Sequence, residues 1–135
     1  MTTQLSPYLH FNGGARAAIT FYESVFGGEL AINTFGDIGT EGDKADEIMH
    51  SQLETPHGLV LMAGDTPPDM TVSRGDTVTL CLSGDDEPQL RAWFAALSEG
   101  GEIHVPLEKQ MWGDVFGQCA DKHGVSWMVN ISPAS

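Results

Sequence analysis

The sequence predicts an α+β protein made of two βαβββ modules, and three observations predict it. First, GGEL at 27–30 and GGEI at 100–103 each follow a helix-like stretch and begin a strand-like one. Second, PHGLVLMA (56–63) and KHGVSWMV (122–129) share a His-Gly turn, an alternating run and a methionine in the same place. Third, apolar periodicity within each copy runs strand, helix, then three strands. The offset between copies falls from 73 residues at the first landmark to 66 at the second, so the second copy has the shorter middle. The 135 residues are expected to form a single domain, with module one at about 5–65 and module two at about 76–132.

In module one, PYLHF (7–11) is a strand and Asn12-Gly13-Gly14 opens a helix. Ala15, Ala18, Ile19, Tyr22, Val25 and Phe26 recur at helical spacing, and Gly27-Gly28 ends the helix. Strands follow near 29–35, 48–54 and 58–64. In module two, TVTLCLS (77–83) is the strand, and Asp85-Asp86-Glu87-Pro88 begins the helix with acid at its positive end and proline in the first turn. Leu90, Trp93, Phe94 and Leu97 form the buried stripe, and Gly100-Gly101 stops it. Strands follow near 102–108, 114–120 and 125–131.

Alternation assigns faces. Val78, Leu80 and Leu82 oppose Thr77, Thr79, Cys81 and Ser83; Met49 and Leu53 oppose His50, Gln52 and Glu54; Leu59, Leu61 and Ala63 oppose Val60, Met62 and Gly64. The apolar sides are expected to pack on the helices. The other sides mix small, polar and methionine residues, as a cleft wall does. Met62, Met128 and Trp112 favour a partly apolar cavity over plain solvent exposure.

A formal charge of −13, from 6 Lys+Arg against 19 Asp+Glu, argues against nucleic acid and against anionic membrane surfaces. No run of apolar residues is long enough to span a bilayer, and no cleavable leader pattern opens the chain. Cys81 and Cys119 form no CxxC pair, which points to reduced thiols and a cytoplasmic protein.

The paired modules resemble the vicinal oxygen chelate superfamily, which includes glyoxalase I, fosfomycin-resistance proteins and extradiol dioxygenases. Within it, PYLHFNGGARAAITFYESVFGGEL (7–30), FGD (35–37), MH (49–50), MAGD (62–65) and WGDVFGQCADKHGVSWMVN (112–130) are similar to the PhnB-like branch. The resemblance implies a cupped mixed sheet with helices on its outer face, and a homodimer, often with strands or modules exchanged. Metal-dependent members place ligands at four equivalent strand positions. Those positions here are Pro7, Met62, Thr79 and Met128. None offers the imidazole or carboxylate that an ordinary divalent cation needs, so no metal and no cofactor are expected. Branch members are often labelled methyltransferases. The loop FNGGARAA (11–18) lacks GxGxxG, and a tight strand-to-helix turn explains its glycines.

His50 is the first candidate for chemistry, as a proton shuttle or a binder of substrate. A strand histidine bonded to a neighbour is the plainer alternative. Asp37 and Asp114 are candidate carboxylate partners; Asp65 and Asp121 read as turn caps. With Pro7, Leu9 and Phe11 on the cleft side, His10 becomes a buried structural histidine. His57 and His123 belong to turns, and His104 to an exposed edge. The ligand-binding set is Phe11, Gln52, Met62, Thr79, Cys81, Trp112, Phe116 and Met128, with Trp112 and Phe116 stacking on a planar ligand. Trp127 is core, and Cys81 is filler. The acidic, glycine-rich stretch 36–47 has the length of a lid, and 64–76 links the modules, with a contribution to a dimer as its other use.

Two functions fit, a metal-independent lyase or isomerase using a His/carboxylate pair or a non-catalytic protein that sequesters a drug-like or natural-product ligand, with a structural dimer bearing a vestigial cleft as a third alternative. The sequence does not decide whether the protein is an enzyme.

Overall fold

The computed structural model describes residues 3–67, 70–73, 75 and 77–133. The chain divides into two compact units, Met1–Arg74 and Gly75–Ser135. The linker positions 68, 69, 74 and 76 lie outside the described residues.

Unit one contains β1 (Tyr8–Phe11), α1 (Ala15–Phe26), β2 (Glu29–Thr34), a 3-10 turn (Phe35–Ile38), β3 (Ile48–Glu54) and β4 (Val60–Asp65). Its sheet runs β1-β4-β3-β2, with β1 parallel to β4 and the other pairs antiparallel. Unit two repeats the plan: β5 (Leu80–Gly84), α2 (Glu87–Ser98), β6 (Glu102–Lys109), β7 (Val115–Ala120) and β8 (Ser126–Ile131), in the order β5-β8-β7-β6 with β5 parallel to β8. The βαβββ order is therefore present twice.

The repeated phrases do the same physical work in both units. Gly27 and Gly100 leave their helices at φ 73° and 77°, where a side chain would be strained. At Gly28 and Gly101 an added Cβ would overlap the carbonyl oxygens of Glu54 and Ala120, which are themselves equivalent positions. The His-Gly turns are closed alike: Thr55 N–H donates to Leu59 O, and Asp121 N–H to Val125 O. The Thr55 hydroxyl accepts from Leu59 N–H, where Asp121 Oδ1 accepts from Val125 N–H.

Each helix covers one face of its sheet. Ala15, Ala18, Ile19, Tyr22 and Phe26 of α1 are buried with Leu53, Leu61 and Ala63; Leu90, Trp93, Phe94 and Leu97 of α2 with Trp127, Val129 and Leu82. Removing this apolar surface from water is the main stabilising term. The two helix starts differ. Asp86 caps α2 locally, accepting from Gln89 N–H. The capping position of α1 is Gly14, which has no side chain to offer. Asp65, on β4, takes over: its Oδ1 accepts from Gly13 and Ala15 N–H, and its Oδ2 from Ile48 N–H.

Three faces differ from what simple alternation gives. Phe11 is only 3% exposed and belongs to the core, not to a cleft wall, whereas His10 and Tyr8 are exposed. Pairing with β4 places Tyr8 beside Met62 and His10 beside Gly64, so the apolar residues of β1 pack inward instead. Val78 is 71% exposed, because β5 begins only at Leu80 and alternation does not reach it. In β3, Ile48 is buried although it shares parity with His50; the ladder slips between Asn33 and Thr34, a bulge at Met49 that resets the faces.

The stretch 36–47 is tied down rather than free. Thr34 and Asp37 form a capping box, Gly36 N–H donates to Ala45 O, and Arg16 donates to Asp46 O. In the linker, Asn12 binds the backbone of Val72 twice, donating to its carbonyl and accepting from its N–H.

Candidate functional site

On the face of the first sheet away from α1, cross-strand register aligns Tyr8, Met62, Gln52 and Ala31 in one row. The adjoining row holds His10, Gly64, His50 and Asn33. Tyr8 organises the second row. Its hydroxyl oxygen lies 3.2 Å from His50 Nδ1 and 3.4 Å from the carbonyl oxygen of Met49. Its ring packs against both imidazoles, at 4.8 Å from His10 and 5.6 Å from His50 between ring centres. Partial burial pushes the Tyr8 phenol above its ordinary value, so it stays protonated.

Beside this cluster an open groove of about 380 Å³ is lined by Glu29, Leu30, Ala31, His50, Gln52 and Glu54. Gln52 Nε2 donates to Glu54 Oε1 at 2.7 Å, which leaves the Gln52 amide oxygen as an acceptor. Of the expected site residues, His50, Gln52 and Met62 thus share this face. Asp37 instead accepts from Thr34 N–H in the capping box. The His50 ring bonds to a phenol, which sequence reasoning did not name. Its signal was Tyr8 itself, two positions from His10 on a strand.

In unit two, Cys81, Met128 and Gln118 form the equivalent row on the face away from α2, with Phe116 and Asn130 in the next. Asp114 Oδ2 accepts from Asn130 Nδ2 at 2.9 Å. Trp112 is 63% exposed in the β6–β7 turn, 6.4 Å from Phe116 between ring centres. Thr79 precedes β5, and its hydroxyl lies 3.1 Å from that of Ser126. Cys81 is exposed; Cys119 is buried.

Donor chemistry at the chelate-equivalent positions is poor. Pro7 does not share a face with Met62; Tyr8 does, and it is a neutral phenol. Met128 stands beside Cys81 rather than beside Thr79. These side chains do not fit a divalent cation of the kind held by imidazole and carboxylate. Among the described residues, no group of three or more His, Cys, Asp or Glu is arranged to hold a metal ion, and no helix is long and apolar enough to cross a membrane.

A sequence model described as the Glyoxalase/Bleomycin resistance protein/Dioxygenase superfamily matches residues 4–129. Protein YjdN of Escherichia coli (strain K12) is 31% identical over 139 residues, covering 94% of each chain. The crystal structure of PA1353 from Pseudomonas aeruginosa superposes with a TM-score of 0.87 at 36% identity, covering 98% of this chain and 100% of that one. The PhnB protein of Bacillus cereus shares the fold, with a TM-score of 0.74 at 24% identity over 96% of this chain and 100% of its own.

Proposed function

We propose, for a chain that belongs to the Glyoxalase/Bleomycin resistance protein/Dioxygenase superfamily, that it binds a small, partly apolar organic molecule without a divalent metal ion. The observation that carries this reading is the groove beside His50, with Gln52 and Glu54, on a sheet face whose chelate-equivalent positions hold no imidazole or carboxylate. Small-molecule sites combine an apolar floor with a few polar groups that fix orientation. Leu30 and Ala31 supply the first, and His50, Gln52 and Glu54 the second. The protein acts as a PhnB-like homodimer in the cytoplasm, and the 135 residues work as one functional domain.

Sequestration is the use of the site that the carboxylates favour. Asp37, in the same unit as His50, is committed to a cap and so is not held as its base, and Asp114 accepts from Asn130. A lyase or isomerase is the second reading, favoured by the Tyr8–His50 contact, in which a phenol replaces the carboxylate. Methyl transfer is not part of the proposal. In the Asn12-Gly13-Gly14 turn the N–H groups of Gly13 and Ala15 are bound to Asp65, so those two donors are not offered to a cofactor.

The test is a thermal-shift screen of metabolites and antibiotics against chelator-treated protein. At least one organic compound should stabilise it. His50→Gln and Gln52→Ala should each weaken that compound by roughly 1–2 kcal/mol, about tenfold in affinity. Hits that ignore both substitutions would place the ligand elsewhere and end this reading.

A further inference from the structure

We infer that Tyr8 is the positioning residue for His50: its hydroxyl crosses β4 at Gly64, occupies Nδ1 of the imidazole, and leaves Nε2 as the ring nitrogen offered to a ligand. This rests on the reading of that sheet face as a ligand site, and it adds which atom does the recognising.

Tyr8 is on β1 and His50 on β3, with β4 between them. Two strand spacings, about 9–10 Å, separate their backbones. A bond between the two side chains must therefore pass over β4. It does so at Gly64, the one glycine of that strand. A Cβ there would stand 2.8 Å from the Tyr8 hydroxyl oxygen and 2.8 Å from Met49 O. Any side chain at 64 would have to displace one or both. The bulge at Met49 sets the face on which His50 emerges beside this gap. His10 packs against the Tyr8 ring, 4.8 Å between ring centres, and restricts its rotation.

The phenol oxygen reaches two partners, His50 Nδ1 at 3.2 Å and Met49 O at 3.4 Å, and it donates to the carbonyl. Whichever way the proton runs between phenol and ring, Nδ1 is engaged, so Nε2 is the ring nitrogen left to face a ligand. It does so at the groove that also holds the amide oxygen of Gln52.

The experiment uses full-length protein labelled with ¹⁵N-histidine, with His50 assigned by loss of its signals in His50→Gln. Spectra are recorded near pH 8.5, about two units above an ordinary imidazole's midpoint. The Nδ1 resonance of His50 should be displaced by its hydrogen bond. In Tyr8→Phe, which keeps the ring, the Nδ1 resonance should move away from that hydrogen-bonded position. Carbethoxylation of His50 by diethyl pyrocarbonate should accelerate several-fold, while exposed His104 reacts unchanged. Gly64→Ala should give the same spectral change with the hydroxyl present. An Nδ1 resonance that Tyr8→Phe leaves in place overturns the inference. No ligand enters this measurement, so its failure is distinguishable from failure of the binding screen.

Discussion

Cys119 and Asp121 lie two residues apart and share a buried corner of unit two, where Asp121 Oδ2 accepts from the Trp127 indole N–H at 2.8 Å. Burial first, and the Asp121 charge second, push the Cys119 thiol from 9.0 up to about 11. A raised value means the folded state holds the proton more tightly. The stability this group contributes is complete below pH 9.0 and is lost as pH climbs through about 11. Melting temperature should therefore fall more steeply over that window in the wild type than in Cys119→Ala. The same burial makes thiol labelling selective: an alkylating reagent at neutral pH should modify exposed Cys81 and reach Cys119 only after unfolding. Residue identity told much of this in advance. Trp127 as core and Asp121 as a turn cap were legible, because an aspartate ahead of a His-Gly turn has few other uses. The inward turn of Phe11 and the outward turn of Tyr8 were not. Four residues of strand carry both parities of apolar side chain, and only pairing with β4 decides between them.

At the scale of elements, the strands and helices were legible because period and punctuation agreed in both copies. What escaped was contact at long range. Asp65 reads as a local turn cap, yet it caps α1 from 50 residues away and holds Ile48 N–H as well. Asp65→Ala leaves three backbone donors without that carboxylate and should cost about 3 kcal/mol in a urea titration. The helix exits make a paired prediction. Gly28→Ala and Gly101→Ala force a Cβ into a strand carbonyl and should each destabilise by several kcal/mol, on the order of the largest single-site effects. Gly14→Ala meets nothing within 4 Å and should stay within about 0.5 kcal/mol of wild type. Equal tolerance at all three sites would mean that the repeated Gly-Gly phrase is not a packing requirement. The bulge at Met49 was likewise invisible, since an extra residue in a ladder has no sequence period.

For the whole molecule, duplication explains why the fold was readable and the site only partly so. Two copies of one plan repeat their turns and helix exits, so each corroborates the other. Their faces away from the helices have diverged: Tyr8, His10 and His50 in unit one stand against Cys81, Phe116 and Met128 in unit two. Divergence of that kind has no internal reference, and His50 could not be given its phenol partner before the register was known. The charge of −13 acts at this scale too. It should draw cations to the surface loosely, without a defined stoichiometry, and the attraction should fade in moderate salt. A side-chain cage for a transition ion would behave differently, with stabilisation that survives salt. The most direct measurement is therefore thermal unfolding of chelator-stripped protein in moderate salt, with zinc, with nickel, and with each organic hit from the screen. Stabilisation by an organic compound, undiminished by chelator, with no comparable shift from either metal, is the predicted result. A large shift from zinc or nickel alone would contradict it.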